Sequence, residues 1–119
     1  MPTKQGSLEL LLDPVAQNLL QSTNPARVAY IWKDGTPRVI SIWFHWNGSE
    51  IVLGSAPTMP KVKVLDNAKV AVTIDENSYP YKVLLIRGTA RINVVDGVAP
   101  EYVAAAKRYM GDEGGRQWI

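Results

Sequence analysis

Arg27-Val28-Ala29-Tyr30-Ile31-Trp32-Lys33, Asp34-Gly35, Arg38 through Trp46, Asn47-Gly48 and Glu50-Ile51-Val52-Leu53-Gly54-Ser55 follow one another within thirty residues, and this stretch decides the fold. The three longer pieces are rich in β-branched and aromatic residues, which suit a pleated, half-buried surface. Asp34-Gly35 and Asn47-Gly48 are hairpin signals, because glycine accepts the positive φ that a tight turn needs. The spacing predicts three antiparallel strands joined as a meander.

Toward the N-terminus, residues 1–7 read as a loose tail. Asp13-Pro14 starts a helix: the carboxylate caps free N–H groups and proline tolerates the first helical position. Val15, Leu19 and Leu20 fall on one face, and Asn24-Pro25 ends the helix. Toward the C-terminus, residues 58–67 read as a short helix with Thr58 as cap and Pro60 in its first turn, placing Lys61 and Leu65 at i and i+4. Lys69 to Asp75 alternates as a fourth strand. Residues 76–80 form a loop, and Lys82 to Val95 a long fifth strand in which Gly88 marks a bulge or a bend where a barrel turns a corner.

Val98 to Met110 is a helix with Glu101 in its first turn and Lys107 and Arg108 in its last, matching the helix dipole. Gly111 closes it, residues 112–115 are a loop, and Arg116 to Ile119 is the approach to a further strand that the chain does not complete. Five antiparallel strands with outlying helices predict a mainly β protein built as a small barrel, in one domain over residues 1–119.

Composition narrows the chemistry. The chain is 46% hydrophobic and 20% charged over 119 residues, which is ordinary globular composition. It has no cysteine, which excludes disulfides and thiolate chemistry, and one histidine, His45, around which any triad or zinc site would have to be built. His45 reads as an ordinary strand residue and no metal site is expected. Thirteen Lys+Arg against eleven Asp+Glu give a formal charge of +2, too mild for a nucleic-acid surface. No apolar run approaches the roughly 20 residues of a membrane span. No targeting segment is readable at the N-terminus, so a soluble cytoplasmic protein without a membrane partner is expected.

Residues 51–72 carry the most chemical information. A strand ends in the small residues Gly54 and Ser55, and a short helix then presents Lys61 and Lys63. Small residues let a ligand approach the backbone, and a hydroxyl with two ammonium groups suits a phosphate dianion. The competing reading is that both lysines are simply solvated.

Taken together, Arg27-Val28-Ala29-Tyr30, the turn Asp34-Gly35-Thr36-Pro37-Arg38-Val39, the segment Ile42-Trp43-Phe44-His45-Trp46-Asn47-Gly48, the run from Ser55 through Leu65, Lys69 to Ile74, and Arg87-Gly88-Thr89-Ala90-Arg91-Ile92 resemble the pyridoxamine 5'-phosphate oxidase-like family of FMN-binding split barrels. The resemblance spans roughly Asp13 to Met110. It implies a homodimeric antiparallel split β-barrel with FMN at the dimer interface. It implies that Ser55, Lys61 and Lys63 hold the phosphate, and that Ser41, Ile42, Trp43 and Phe44 line the isoalloxazine ring. Where the oxidase carries a basic pair, this chain has Pro60 and Lys61, and a glutamine of the oxidase finds only Lys82 or Val83 here. The expected function is an FMN-dependent oxidoreductase acting on a small molecule, with no catalytic residue assigned. The alternatives are a deazaflavin-dependent oxidoreductase and a non-catalytic flavin-binding or sensing module.

Overall fold

The structure, a computed structural model, describes residues 6–54, 60–94, 97 and 99–118. It begins with a 3-10 helix over Leu8–Leu12, capped by the Ser7 hydroxyl, which accepts from the Glu9 N–H at 3.2 Å. Helix α1 follows over Pro14–Leu20, and the Asp13 carboxylate accepts the Val15 N–H at 2.9 Å. Its buried side chains are Ala16, Leu19 and Leu20. Ala16 takes the place expected of Val15, which stays exposed: Leu19 and Leu20 both point inward, and Ala16 lies i−3 and i−4 from them.

Strands β1 (Ala26–Ile31) and β2 (Pro37–Ile42) form an antiparallel hairpin in register from Ala26↔Ile42 to Ile31↔Pro37. At its tip Gly35 takes φ 84°, and the Asp34 carboxylate accepts the N–H and hydroxyl of Thr36. Those bonds hold Asp34 below the ordinary carboxylate range. The chain then breaks with the expected long second strand. It leaves the sheet at Trp43, and a short strand β3 (His45–Trp46) pairs with β4 (Ile51–Val52) as a separate two-stranded sheet. β1 offers no partner before Ala26, which faces Ile42, and the fully buried Phe44 gives its carbonyl to the Arg108 guanidinium instead of to a ladder. The expected three-stranded meander is therefore a hairpin and a smaller ribbon.

Helix α2 spans Pro60–Leu65. Strand β5 (Lys69–Asp75) pairs with the free edge of β1, and β6 (Val83–Thr89) pairs with β5 along its whole length, giving the order β2-β1-β5-β6. Gly88 sits opposite Val70 in an unbroken ladder, so the expected bulge is absent, and β6 stops six residues before Val95. The protein is thus mainly antiparallel sheet with flanking helices, a split-barrel-like architecture.

Helix α3 runs over Pro100–Trp118 with a kink at Gly111 (φ 79°, ψ 164°). Residues 112–118, expected as a loop and the start of a strand, are helical instead, and Ile119 lies outside the described residues. The turn after the kink folds back so closely that a Cβ on Gly115 would stand 2.7 Å from the Lys107 backbone. Arg108 does not serve the helix end as expected. It crosses to the Ser22 carbonyl (3.0 Å) and the Phe44 carbonyl. The Tyr109 hydroxyl donates to the Asn24 carbonyl at 2.7 Å, and the Asn24 amide donates to the Asp75 carbonyl at 2.8 Å. Asp75 also pairs with Arg27. The core lies on the inner sheet face, where Val28, Val72 and Ile74 meet Leu19, Leu20 and Phe44.

Glycine-to-alanine changes separate propensity from packing here. Nothing lies within 4 Å of a Cβ on Gly88, so Gly88→Ala is expected to stabilise by about 0.5–1 kcal/mol. Gly115→Ala, which helix propensity alone would favour, is expected to destabilise by about 1–3 kcal/mol through overpacking. Urea unfolding of both variants checks the opposite signs.

Candidate functional site

The departure of the chain from β2 creates the site. Ser41, Ile42 and Trp43 lie along the end of the strand, and Pro25, Gly54 and Tyr102 face them across an open cavity of about 370 Å³. That volume is at the small end of the range for ligand pockets. Trp43 forms one wall. Its ring stacks on Tyr109, with centroids 5.2 Å apart and planes 9° from parallel, and lies tilted against Tyr102 at 6.3 Å. Behind the stack, Arg108 sits 4.7 Å over the Phe44 ring and 4.9 Å over the Tyr109 ring. Burial raises the Tyr109 hydroxyl above its ordinary pKa, against the opposing effect of Arg108, so at neutral pH it is a fixed donor to Asn24.

Of the residues expected at the cofactor ring, Ser41, Ile42 and Trp43 are brought together along this cavity. Phe44 is not among its lining residues: it is buried beneath Arg108, edge-on to Tyr109 at 6.3 Å. Of the residues expected at a phosphate, Ser55 lies outside the described residues. Lys61 is half-buried and Lys63 exposed. Residues two apart on a helix do not share a face, so the two ammonium groups leave α2 on different sides.

Gly54 was expected to give a ligand room beside the backbone. The space over it is taken by Tyr102, whose Cδ2 lies 2.6 Å from where a Cβ would be. Tyr102 and Tyr109 escaped the sequence reading, and Arg108 was read only as a helix-end charge. The spacing of Tyr102 and Tyr109, one face of a helix at i and i+7, was the available signal, but it does not name Trp43 as the partner.

His45 is half-buried and pairs with Val52 in β3. Among the described residues no group of three His, Asp or Glu side chains could hold a metal, and no helix is long and apolar enough to cross a membrane.

A second surface feature is the outer face of the four-stranded sheet. It presents Ala29 and Ala71 at its centre, with Ile31, Val39, Val83 and Leu85 around them, those four between 56% and 64% exposed.

No family model matches the chain, and no curated protein matches it. Among solved structures, an F420 reductase is similar. It shares 26% identity, covers 80% of this chain and 76% of its own, and superimposes with a TM-score of 0.63.

Gly54→Ala is expected to cost about 1–3 kcal/mol, because its methyl would meet the Tyr102 ring. In a Tyr102→Ala background the same change should cost much less. A double-mutant cycle by thermal or urea unfolding reads the coupling. An undiminished cost in that background would show that Tyr102 is not what fills the space.

Proposed function

We propose that the chain is a deazaflavin-dependent oxidoreductase that holds the cofactor ring at the cavity walled by Trp43. The observation that carries this reading is the likeness to an F420 reductase over most of both chains. The cavity supports it in kind. Trp43 and Tyr102 give it aromatic walls, Ile42 and Pro25 are apolar, and the Ser41 hydroxyl supplies a polar group at the rim. At about 370 Å³ it has room for a ring system but not for a cofactor's tail. A bound deazaflavin supplies two-electron hydride transfer; the protein sets its orientation and access.

The tail's phosphate would be met by Ser55 and by Lys61, the less exposed of the two lysines, with Lys63 contributing charge at longer range. FMN is the second reading, favoured by the order and spacing of the motifs from Arg27 to Ile92. A non-catalytic module would bind either cofactor without turnover. The chain is further proposed to work as a homodimer. An antiparallel sheet face left to solvent is ordinarily polar, whereas this one exposes Ile31, Val39, Val83 and Leu85. A second copy laid on that face would cover them.

The test is the absorbance and mass of ligand released from the purified protein, with titration of F420 and FMN into the ligand-free chain. Tighter binding of F420 is expected, and binding of neither overturns the reading. Lys61→Ala should weaken either phosphate-bearing cofactor by about 10- to 150-fold, the equivalent of one charge-assisted hydrogen bond. Riboflavin, which lacks the phosphate, should lose much less; an equal loss for both would show that Lys61 does not act through the phosphate. Val39→Asp should convert the dimer to monomer in light scattering. A wild-type monomer at micromolar concentration with cofactor bound would refute the assembly.

A further inference from the structure

The geometry points to Tyr109 as the positioning residue of the ring site, the group that sets the plane of the Trp43 indole toward the cavity. The inference rests on reading that cavity as the place of a cofactor ring. Trp43 belongs to the two-residue link between β2 and β3, outside both ladders. The nearly parallel stack on Tyr109 at 5.2 Å holds the plane of its indole on that side.

Tyr109 can do this because it is itself fixed at three points. Its hydroxyl is tied to the Asn24 carbonyl at 2.7 Å, and Asn24 is tied to the end of β5 through Asp75. Its ring lies under the Arg108 guanidinium at 4.9 Å and against the edge of Phe44. The ring plane is thus referenced to the four-stranded sheet as well as to α3. Tyr102, seven residues earlier on the same helix, lines the cavity directly, so α3 contributes one lining side chain and one that acts through Trp43.

The test compares Tyr109→Leu and Tyr109→Phe with wild type by titration with F420 and with FMN, by visible circular dichroism of the bound cofactor and by thermal unfolding. Leucine keeps apolar bulk but abolishes the stack. It is expected to weaken the preferred cofactor by about 2- to 12-fold, the range of an aromatic pair of about 0.5–1.5 kcal/mol, and to change the visible dichroism. Phenylalanine keeps the stack and loses the bond to Asn24. It is expected to restore the wild-type dissociation constant to within about twofold and the wild-type dichroism, while melting lower than wild type.

Loss of binding in both variants in step with thermal stability would overturn the inference, since it would mark Tyr109 as a structural residue only. So would wild-type affinity and dichroism in Tyr109→Leu. If wild type binds neither cofactor, the proposed function falls and this inference with it. If wild type binds and Tyr109→Leu is indifferent, the positioning role alone is overturned.

Discussion

The β1–β2 ladder ends at Ala26 opposite Ile42, and Arg108 makes the resulting break in the sheet tolerable. When the chain leaves β2, the carbonyl of Phe44 has no strand partner and lies in a region closed by side chains. A backbone carbonyl left unpaired in such a place costs about 1–3 kcal/mol. The Arg108 guanidinium supplies the missing donor and takes the Ser22 carbonyl at the end of α1 as well. Its own charge is set against two carbonyl dipoles and two aromatic faces. Among the described residues no carboxylate is paired with Arg108. Lysine could not substitute: a planar fork can serve two carbonyls and lie flat on rings, and a point ammonium cannot.

The rest of the site follows from that corner. With Phe44 inward, Trp43 is the residue left at the turn, and Ser41 and Ile42 become the end of an open strand edge rather than the middle of a long one. Helix α3 must approach closely for Arg108 to reach Ser22. Gly54 permits this by letting the Tyr102 ring lie against the β4 exit, while Gly115 lets the helical turn beyond the kink press on Lys107 of the same helix. Both glycines serve close approach, a role different from the φ freedom that Gly35 supplies at the hairpin tip.

Strand β5 was legible to the residue, because alternation and flanking turn formers agree over Lys69–Asp75. The β1–β2 hairpin and the presence of α1, α2 and α3 were legible for the same reason: local pattern and turn chemistry point one way. What was not legible depends on distant partners. The run from Arg38 to Trp46 has strand texture throughout, and nothing within it announces that Phe44 will be captured by a residue sixty-four positions later. Residues 112–115 contain two glycines and read as loop, and 116–119 as the approach to a strand, but nothing local announces the close packing of Gly115 on Lys107 that accompanies the helical turn there. At the site, Ser41, Ile42 and Trp43 could be named from a family resemblance, whereas Tyr102 and Tyr109 acquire their roles only when α3 is placed against the β2–β3 corner.

The outer sheet face obeys a different constraint from the edges around it. The edge strand β2 begins with Pro37, which has no N–H to offer a further strand. The face is charged on one side only. Its acid, Asp75, is paired with Arg27 within the same face, and Arg87 stands directly opposite Ala71 with Lys69 two residues from it, so cations border the apolar residues on the β5–β6 side. Sequence that blunts an edge and leaves a face apolar favours stacking of sheets over their extension. The small central residues Ala29 and Ala71 allow a second sheet to approach. A partner laid on this face would then meet Ser41, which stands on the same face and also lines the cavity. The proposed assembly and the proposed cofactor site therefore share a residue, so that closing one would narrow access to the other.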